Sequence, residues 1–302
     1  MNAEVTQLLS GAGFEVVERA GLSGEALGAA LMGTDALLVR GATKVTREVV
    51  AGARGLKAVA RAGSGVDNID LEACRERGIA VFNTPGANAV SVAEHTWALI
   101  LALYRRLPAA AASMAAGRWE KSALAGREVR GKTLGLVGFG RVGQEVGRIG
   151  LALGCRVQAY DPLVRVADVL AGAAAVSLDQ ALETSDIVSL HAPLAPETKR
   201  LVSAEMLSGM KAGAILINCA RGALVDESAL ERALTEGRLA GAGLDVFETE
   251  PPGDRALLRM PQVVATPHVA ASTPEAQLRA GVEAATAIRD YLAAGLAPGR
   301  VA

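Results

Sequence analysis

Charge of one sign is what this chain conspicuously lacks. Its 31 Lys and Arg stand against 32 Asp and Glu, for a formal net charge of −1. Grip on a nucleic-acid backbone requires a concentrated excess of Lys and Arg, so no nucleic-acid partner is expected, and any anion bound should be small. Long apolar runs are also missing. The longest, Trp97 to Leu103, is far short of the ~20 residues needed to cross a bilayer, and no signal peptide opens the chain. No membrane association is expected, and a cytoplasmic location follows by default. Cysteine is scarce: Cys74, Cys155 and Cys219 are odd in number and have no paired spacing. Neither a disulfide framework nor a zinc site is therefore suggested, and each thiol should be a small buried residue.

What the chain does have is apolar residue in quantity, 51% of 302 positions, enough for two packed domains. Short apolar runs alternate with helical stretches: Ala36 to Val39, Ala58 to Ala60, Ala80 to Phe82, Thr133 to Val137, Arg156 to Tyr160, Ile187 to Leu190, Ala214 to Asn218, Ala242 to Asp245 and Val263 to Ala265. That alternation predicts an α/β protein of doubly wound parallel sheets with crossover helices, its chemistry carried on loops at the C-terminal ends of the strands. The turn Asn83-Thr84-Pro85-Gly86 precedes a long Ala- and Leu-rich helix from about Val90 to Arg105, read as a bridge between domains. A first domain of residues 1–84 would be rejoined by 270–302, through a helix from Glu275 to Leu292. Residues 85–269 would form the second domain, with substrate in the cleft between the two.

Gly138-Phe139-Gly140-Arg141-Val142-Gly143 follows the apolar run Leu134 to Val137. In a dinucleotide-binding turn the first glycine permits the tight turn, the second lets the backbone approach a pyrophosphate, and the third lets the helix pack close to its strand. The N–H groups at the helix start then face the phosphates. Asp161 ends the next apolar run, where an acid accepts hydrogen bonds from ribose hydroxyls and repels a 2′-phosphate. NAD is therefore favoured over NADP, although Arg165 nearby leaves a small opening for the latter.

Hydride transfer from an alcohol to a nicotinamide requires a base for the hydroxyl proton, and an anionic substrate also needs a cation. The chain has three histidines. His95 lies within the long helix and reads as structural. His191 ends a strand and suits either a cofactor-pocket wall or a structural role. His268 follows Thr266-Pro267 directly after Val263 to Ala265, so its ring should emerge where a ligand lies. Glu250, before Pro251-Pro252, is the candidate acid to tune it, or else a solvated member of Glu248-Thr249-Glu250. Arg221, after Asn218-Cys219-Ala220, can hold a carboxylate in two places, with Gly222 giving room for that approach. The alternative for Arg221 is a surface salt bridge.

Asn218-Cys219-Ala220-Arg221-Gly222-Ala223-Leu224-Val225-Asp226-Glu227, Gly243-Leu244-Asp245-Val246-Phe247, Glu250-Pro251-Pro252 and Pro267-His268-Val269-Ala270-Ala271-Ser272-Thr273, in that order, closely resemble the D-isomer-specific 2-hydroxy acid dehydrogenases. Within them, Arg61-Ala62-Gly63-Ser64-Gly65-Val66-Asp67-Asn68-Ile69-Asp70 and Ala271-Ser272-Thr273-Pro274-Glu275-Ala276-Gln277 look like the branch acting on D-3-phosphoglycerate. The resemblance implies a Rossmann NAD-binding domain inserted into a flavodoxin-like substrate domain. By the same likeness Arg221 binds the substrate carboxylate, His268 is the acid–base and Glu250 orients it. Ser64, Arg141, Val142, Asp161, Ala192, Pro193, Cys219, Ala220, Asp245 and Ala271 would line the NAD site, and Gly63 and Ser64 would offer N–H groups to the carboxylate. Arg40 and Arg61 resemble the family's phosphate grip, or are ordinary surface arginines. Trp119 sits in an arm that in such enzymes packs on a second subunit, implying a homodimer, or else it is a domain-core residue.

The same residues could serve hydroxypyruvate, glyoxylate or another 2-keto acid, and some relatives act as NAD-sensing corepressors, which carry peptide-binding surfaces and tails, and no tail is evident here. Two departures from the family pattern carry expectations. Regulatory domains that follow in many relatives do not follow Ala302, so serine feedback through them is not expected. Relatives also open with a strand before the helix that here would be Ala3 to Leu9, whereas this chain's first strand is expected at Phe14 to Val17. The expectation is a native protein that begins upstream, or a truncated product.

Overall fold

The computed structural model describes residues 2–302. The chain folds as two compact units, residues 2–88 with 271–302, and residues 89–270. The first boundary lies beyond the expected 84 for a local reason. The Thr84 N–H donates to Gly63 O at 3.1 Å and the Gly63 N–H donates to Thr84 Oγ1 at 2.8 Å, which ties the Asn83–Gly86 turn to the first unit.

In chain order the first unit runs α1 (Ala3–Gly11), α2 (Gly24–Ala30), β1 (Ala36–Val39), α3 (Arg47–Gly52), β2 (Ala58–Arg61), α4 (Leu71–Glu76) and β3 (Ala80–Phe82), and it ends with the helix Pro274–Ala294. The strands form a parallel sheet in the order β1-β2-β3. Period-2 alternation sorts their side chains. Val59 and Val81 join Leu27, Val49 and Cys74 on one face, while Ala58, Ala60, Ala80 and Phe82 meet Ala284, Ala285 and Ile288 of the last helix on the other. Small residues on both sides let that helix lie close, and α1 packs on it in turn. A Cβ at Gly281 would come within 2.7 Å of Val5 Cγ2. Beyond β3, Val301 and Ala302 hydrogen-bond to Val81.

One expected strand is absent. Phe14 to Val17 carries no ladder: Phe14 turns its N–H back to Leu9 O at 3.1 Å, and Phe14 and Val16 are only partly buried against the core. Strand geometry needs a neighbour for its N–H and C=O groups, and no described strand pairs with this segment. The sheet of the first unit accordingly has three strands.

The second unit continues with α5 (Ala89–Tyr104), α6 (Leu107–Ala115), β4 (Thr133–Val137), α7 (Arg141–Ala152), β5 (Arg156–Tyr160), α8 (Val166–Val169), β6 (Ala173–Ala175), α9 (Leu178–Glu183), β7 (Ile187–Leu190), α10 (Ala204–Gly209), β8 (Ile215–Asn218), α11 (Glu227–Thr235), β9 (Gly241–Leu244), α12 (Ala256–Arg259) and β10 (Val263–Ala265), and α13 is the last helix of the first unit already described. Its seven parallel strands take the order β10-β9-β8-β7-β4-β5-β6. β7, β8 and β9 are buried throughout, as helices on both faces require. The order reverses at β4, which has β5 on one side and β7 on the other, and a ligand crevice opens at such a point. β6 was not legible, because an Ala-Ala-Ala edge lacks the β-branched residues that mark a strand. α5 is not a free bridge: it packs on α7 and the β8–β10 side of the sheet, with Trp97 Nε1 donating to Val146 O at 3.0 Å.

Glycine is required inside β4. A Cβ at Gly135 would stand 2.1 Å from Ser185 Oγ and 2.6 Å from Ala181 O. Gly135→Ala is expected to destabilise the fold by about 2 kcal/mol or more, as overpacking at a rigid site does, and urea unfolding checks it; an unchanged midpoint would contradict the packing described.

Candidate active site

The loops after β10, β9, β8, β7, β4 and β5 all leave the same edge of the parallel sheet. They carry, in that spatial order, His268, Asp245, Arg221, His191, Gly138 and Asp161.

Gly138 adopts φ +95°, and a Cβ on it would lie 2.6 Å from the His191 carbonyl carbon, so two backbones touch where the strand order reverses. At Gly143 a Cβ would fall 2.4 Å from Gly138 O, which glycine avoids so that α7 can start directly beneath the turn. Gly140, by contrast, has nothing within 4 Å of a Cβ position, and as N-cap of α7 it supplies no side-chain cap. A helix N-terminus of uncapped N–H groups next to open space suits a pyrophosphate. These residues fit a dinucleotide. Val142 lies within the turn, the Ala192 N stands 2.7 Å from a Cβ position on Gly138 with Pro193 next to it in sequence, and Arg141 is exposed at the first position of α7.

Asp161 has a second task that its spacing did not reveal. Its Oδ2 accepts the Phe139 N–H at 2.7 Å, and its Oδ1 accepts those of Leu163 at 2.8 Å and Val164 at 3.0 Å. A carboxylate has about four acceptor directions. Three are occupied by the backbone, so the residue read as a ribose acceptor also fastens the glycine turn to the loop after β5.

His268 stands at φ +53°, a left-handed conformation that costs a non-glycine residue about 1 kcal/mol or more. Its N–H donates to Asp245 O at 2.8 Å, and the ring Nδ1 lies 2.7 Å from Glu250 Oε2. Glu250 is fixed in turn, since its Oε1 accepts the Phe247 N–H at 3.0 Å. A carboxylate can only accept, so Nδ1 carries the proton and Nε2 is the ring nitrogen left for proton exchange.

Arg221 follows β8 on a loop closed by Asn218, whose Nδ2 donates to Arg221 O at 2.9 Å and whose Oδ1 accepts the Ala220 N–H at 3.0 Å. Its Nη1 also donates to Ala220 O at 2.7 Å. Gly222, expected to give room for a substrate, instead meets the protein's own backbone: a Cβ there would collide with the Phe247 carbonyl carbon at 1.9 Å. The space is filled by the Phe247–Glu248 backbone, so the loop bearing Arg221 and the loop bearing Glu250 are pressed together. Glu227 adds a tie by accepting the Glu248 N–H at 2.5 Å and pairing with Arg255.

Asp245 is completely buried; its Oδ1 accepts the Val269 N–H at 2.9 Å and its Oδ2 the Ala270 N–H at 2.8 Å. Cys219 is also buried, which pushes its thiol up to about 12. Among the described residues no cluster of His, Cys, Asp and Glu is gathered as a metal would need.

In the first unit Arg40 is exposed after β1. Arg61, at the end of β2, turns inward: Nη1 donates to Gly65 O, and Nη2 would lie 3.2 Å from a Cβ on Gly41. It braces its own loop against the loop after β1. The Gly63 N–H is given to Thr84, as noted, while Ser64 Oγ donates to Asn88 Oδ1 at 2.9 Å. Ala271 is the first residue of the segment that returns to this unit.

His191 packs beneath the glycine turn, its Cδ2 3.7 Å from a Cβ on Gly143 and its Nε2 2.9 Å from Ser189 Oγ. Burial pushes the imidazole down to about 3 from its ordinary 6.5. The folded ring stays neutral where the unfolded one takes a proton, so its contribution to stability is complete above pH 6.5 and is lost as pH falls from there toward 3. Urea midpoints measured over that range should fall more steeply in the wild type than in His191→Asn; equal slopes would contradict this origin.

Residues 97–270 match the family described as D-isomer specific 2-hydroxyacid dehydrogenase, NAD binding domain. The hydroxypyruvate reductase of Thermotoga maritima is 46% identical over 286 residues, which cover 94% of this chain and 93% of that protein. The D-3-phosphoglycerate dehydrogenase of Methanocaldococcus jannaschii is 45% identical over 285 residues, 94% of this chain but 54% of that protein, so the chain spans about half the length of such relatives. A crystal structure of a Thermus thermophilus protein superposes with a TM-score of 0.90 at 40% identity, covering 99% of this chain and 97% of that one. With its glycine turn, its acid after β5 and the His268–Glu250 pair on one sheet edge, the chain belongs to the NAD-dependent D-isomer-specific 2-hydroxyacid dehydrogenases.

Proposed function

We propose that the protein oxidises D-3-phosphoglycerate to 3-phosphohydroxypyruvate, the entry step from a glycolytic intermediate toward serine. The observation that carries the catalytic part is the His268 Nδ1 to Glu250 Oε2 contact at 2.7 Å, on the same sheet edge as Arg221 and the glycine turn. NAD, when bound, accepts the hydride leaving substrate C2. His268 takes the substrate hydroxyl proton at Nε2. Glu250 favours the resulting imidazolium by holding the Nδ1 proton, and its own anchorage to Phe247 keeps the ring from swinging. Arg221 is the clamp for the substrate carboxylate, holding the acid so that its C2 hydroxyl reaches His268.

The phosphate assignment rests on Arg40, exposed after β1 and available to an anion, together with the relatives that bear that activity in their names. Hydroxypyruvate is the second reading. It is favoured by the turn of Arg61 toward Gly65 O, which commits one of the two expected phosphate cations to its own loop, and by the Thermotoga relative matched along almost its whole length. A second copy of the chain is proposed to cover the arm around Trp119, whose side chain is 79% exposed beside Met114 at 58%, so the domain-core alternative does not hold. Cytoplasmic residence goes with this reading; no helix among the described residues is long and apolar enough to cross a membrane.

Steady-state kinetics with NAD on D-3-phosphoglycerate, and with NADH on 3-phosphohydroxypyruvate, hydroxypyruvate and glyoxylate, test the substrate. The expected ranking puts the phosphorylated pair first, and a kcat/KM for hydroxypyruvate that exceeds that for its phosphorylated form would reverse the assignment. Arg40→Ala should lower kcat/KM for phosphorylated substrates by roughly 10- to 100-fold, the worth of a charge-assisted contact, with little change for hydroxypyruvate. His268→Ala should lower kcat by about 10²- to 10⁴-fold while NAD affinity, read by fluorescence quenching, stays nearly constant. Retained turnover would remove His268 from the role of base.

A further inference from the structure

One polar cluster beneath the His268 loop has no part in the chemistry so far. Asp245 is fully buried at the end of β9, and its Oδ1 accepts not only the Val269 N–H but also the Thr266 hydroxyl at 2.5 Å. His95, on α5, brings its Nε2 to 2.9 Å from Thr266 Oγ1 and to 3.5 Å from Asp245 Oδ1. Residues 171 positions apart thus meet under the loop that presents the acid–base.

Proton accounting gives the cluster a direction. A threonine hydroxyl has one hydrogen, and at 2.5 Å it is directed at the carboxylate, which can only accept. Thr266 Oγ1 is then the acceptor for its other partner, so His95 must donate, and its Nε2 carries a proton. The chain of donation runs His95 Nε2–H to Thr266 Oγ1–H to Asp245 Oδ1. The same carboxylate takes the N–H groups of Val269 and Ala270, and the Asp245 carbonyl takes that of His268. Asp245 thus gathers the N–H groups of His268, Val269 and Ala270, the Thr266 carbonyl takes a longer share of the His268 N–H at 3.1 Å, and the carboxylate itself is oriented by Thr266 and His95.

We propose that His95 is a positioning residue for the acid–base: by donating to Thr266 it locks the Asp245 carboxylate, and through it the Thr266–Ala270 loop, in the arrangement that aims the His268 ring at Glu250 and the substrate hydroxyl. The inference rests on the reading of His268 as base. It assigns a donor state to one atom and a catalytic consequence to a residue whose place inside a helix reads as structural.

The three histidines make the test direct. In the whole protein labelled with ¹⁵N-histidine, the imidazole signals are assigned through His95→Gln, His191→Asn and His268→Ala variants. His95 is expected to show a protonated Nε2 near neutral pH, as the Nε2–H tautomer or as imidazolium, whereas a bare Nε2 overturns the proposal without any variant having to fold. In kinetics, His95→Leu and Thr266→Val should each reduce kcat by on the order of 10- to 100-fold, the usual effect of mispositioning a reacting group. The double variant should be no slower than the slower single one, because both break the same chain, and His95→Gln, whose amide can donate, should recover most of the loss. A kcat in His95→Leu within about twofold of wild type, or losses that multiply in the double variant, overturns the role of His95 while leaving His268 as base if His268→Ala is inactive. Full turnover in His268→Ala instead removes the reading on which the inference rests, and the inference with it.

Discussion

Parallel hydrogen bonding in the second unit is the constraint on which everything else depends. Because all seven strands run the same way, every strand end that carries chemistry opens on one edge. Their lateral order then determines which groups can cooperate. His268, Asp245 and Arg221 follow three adjacent strands on one side of the reversal, and Gly138 and Asp161 lie at it and beyond it. The His268 end and the glycine-turn end of this edge are thereby separated by the width of a few strands, with the His191 segment wedged between them against Gly138.

Acids hold this edge together. Asp161, Asp245 and Glu227 each accept at least one backbone N–H from a neighbouring loop, and Glu250 accepts the Phe247 N–H within its own. A carboxylate suits the task because two oxygens can gather N–H groups that point in converging directions, and a charged acceptor makes a stronger bond than a neutral one. The loops are irregular, so their N–H groups lack ladder partners and would otherwise go unsatisfied. Three of these four acids also occupy positions that the family likeness assigns to cofactor or catalysis, so the groups that would meet ligands are the ones that shape the edge around them.

Much of this was legible in the chain. The strands were readable wherever β-branched and aliphatic residues stood in a row between turn residues, as in Ile187 to Leu190. Gly138, Asp161, Glu250 and His268 could be singled out because local spacing or an ordered motif marks them. What stayed hidden depends on contacts between distant segments. Gly222 reads as room for a ligand, since nothing nearby in sequence announces that Phe247 occupies the space. His95 reads as a helix residue because Thr266 lies 171 positions away. The strand expected at Phe14 to Val17 failed on the same account, for strand propensity is realised only with a neighbour to pair with. The inward turn of Arg61 belongs here too: an arginine after a strand looks alike in sequence whether it meets an anion or a carbonyl.

The double engagement of Asp161 bears on how cofactor preference could evolve. In a site where the ribose-facing acid did nothing else, exchanging it for a small neutral residue would be a single step toward accepting a 2′-phosphate. Here the same exchange strands the amide of Phe139, a residue whose ring is wholly buried, and releases the bend at Leu163, which is 92% exposed and contributes no packing to hold it. A lineage leaving NAD would have to acquire a substitute acceptor for the Phe139 amide before or along with the loss of the acid. With Asp161 as the proposed ribose acceptor, fidelity to one cofactor would be enforced by foldability, and would persist even under selection that was indifferent to the cofactor itself.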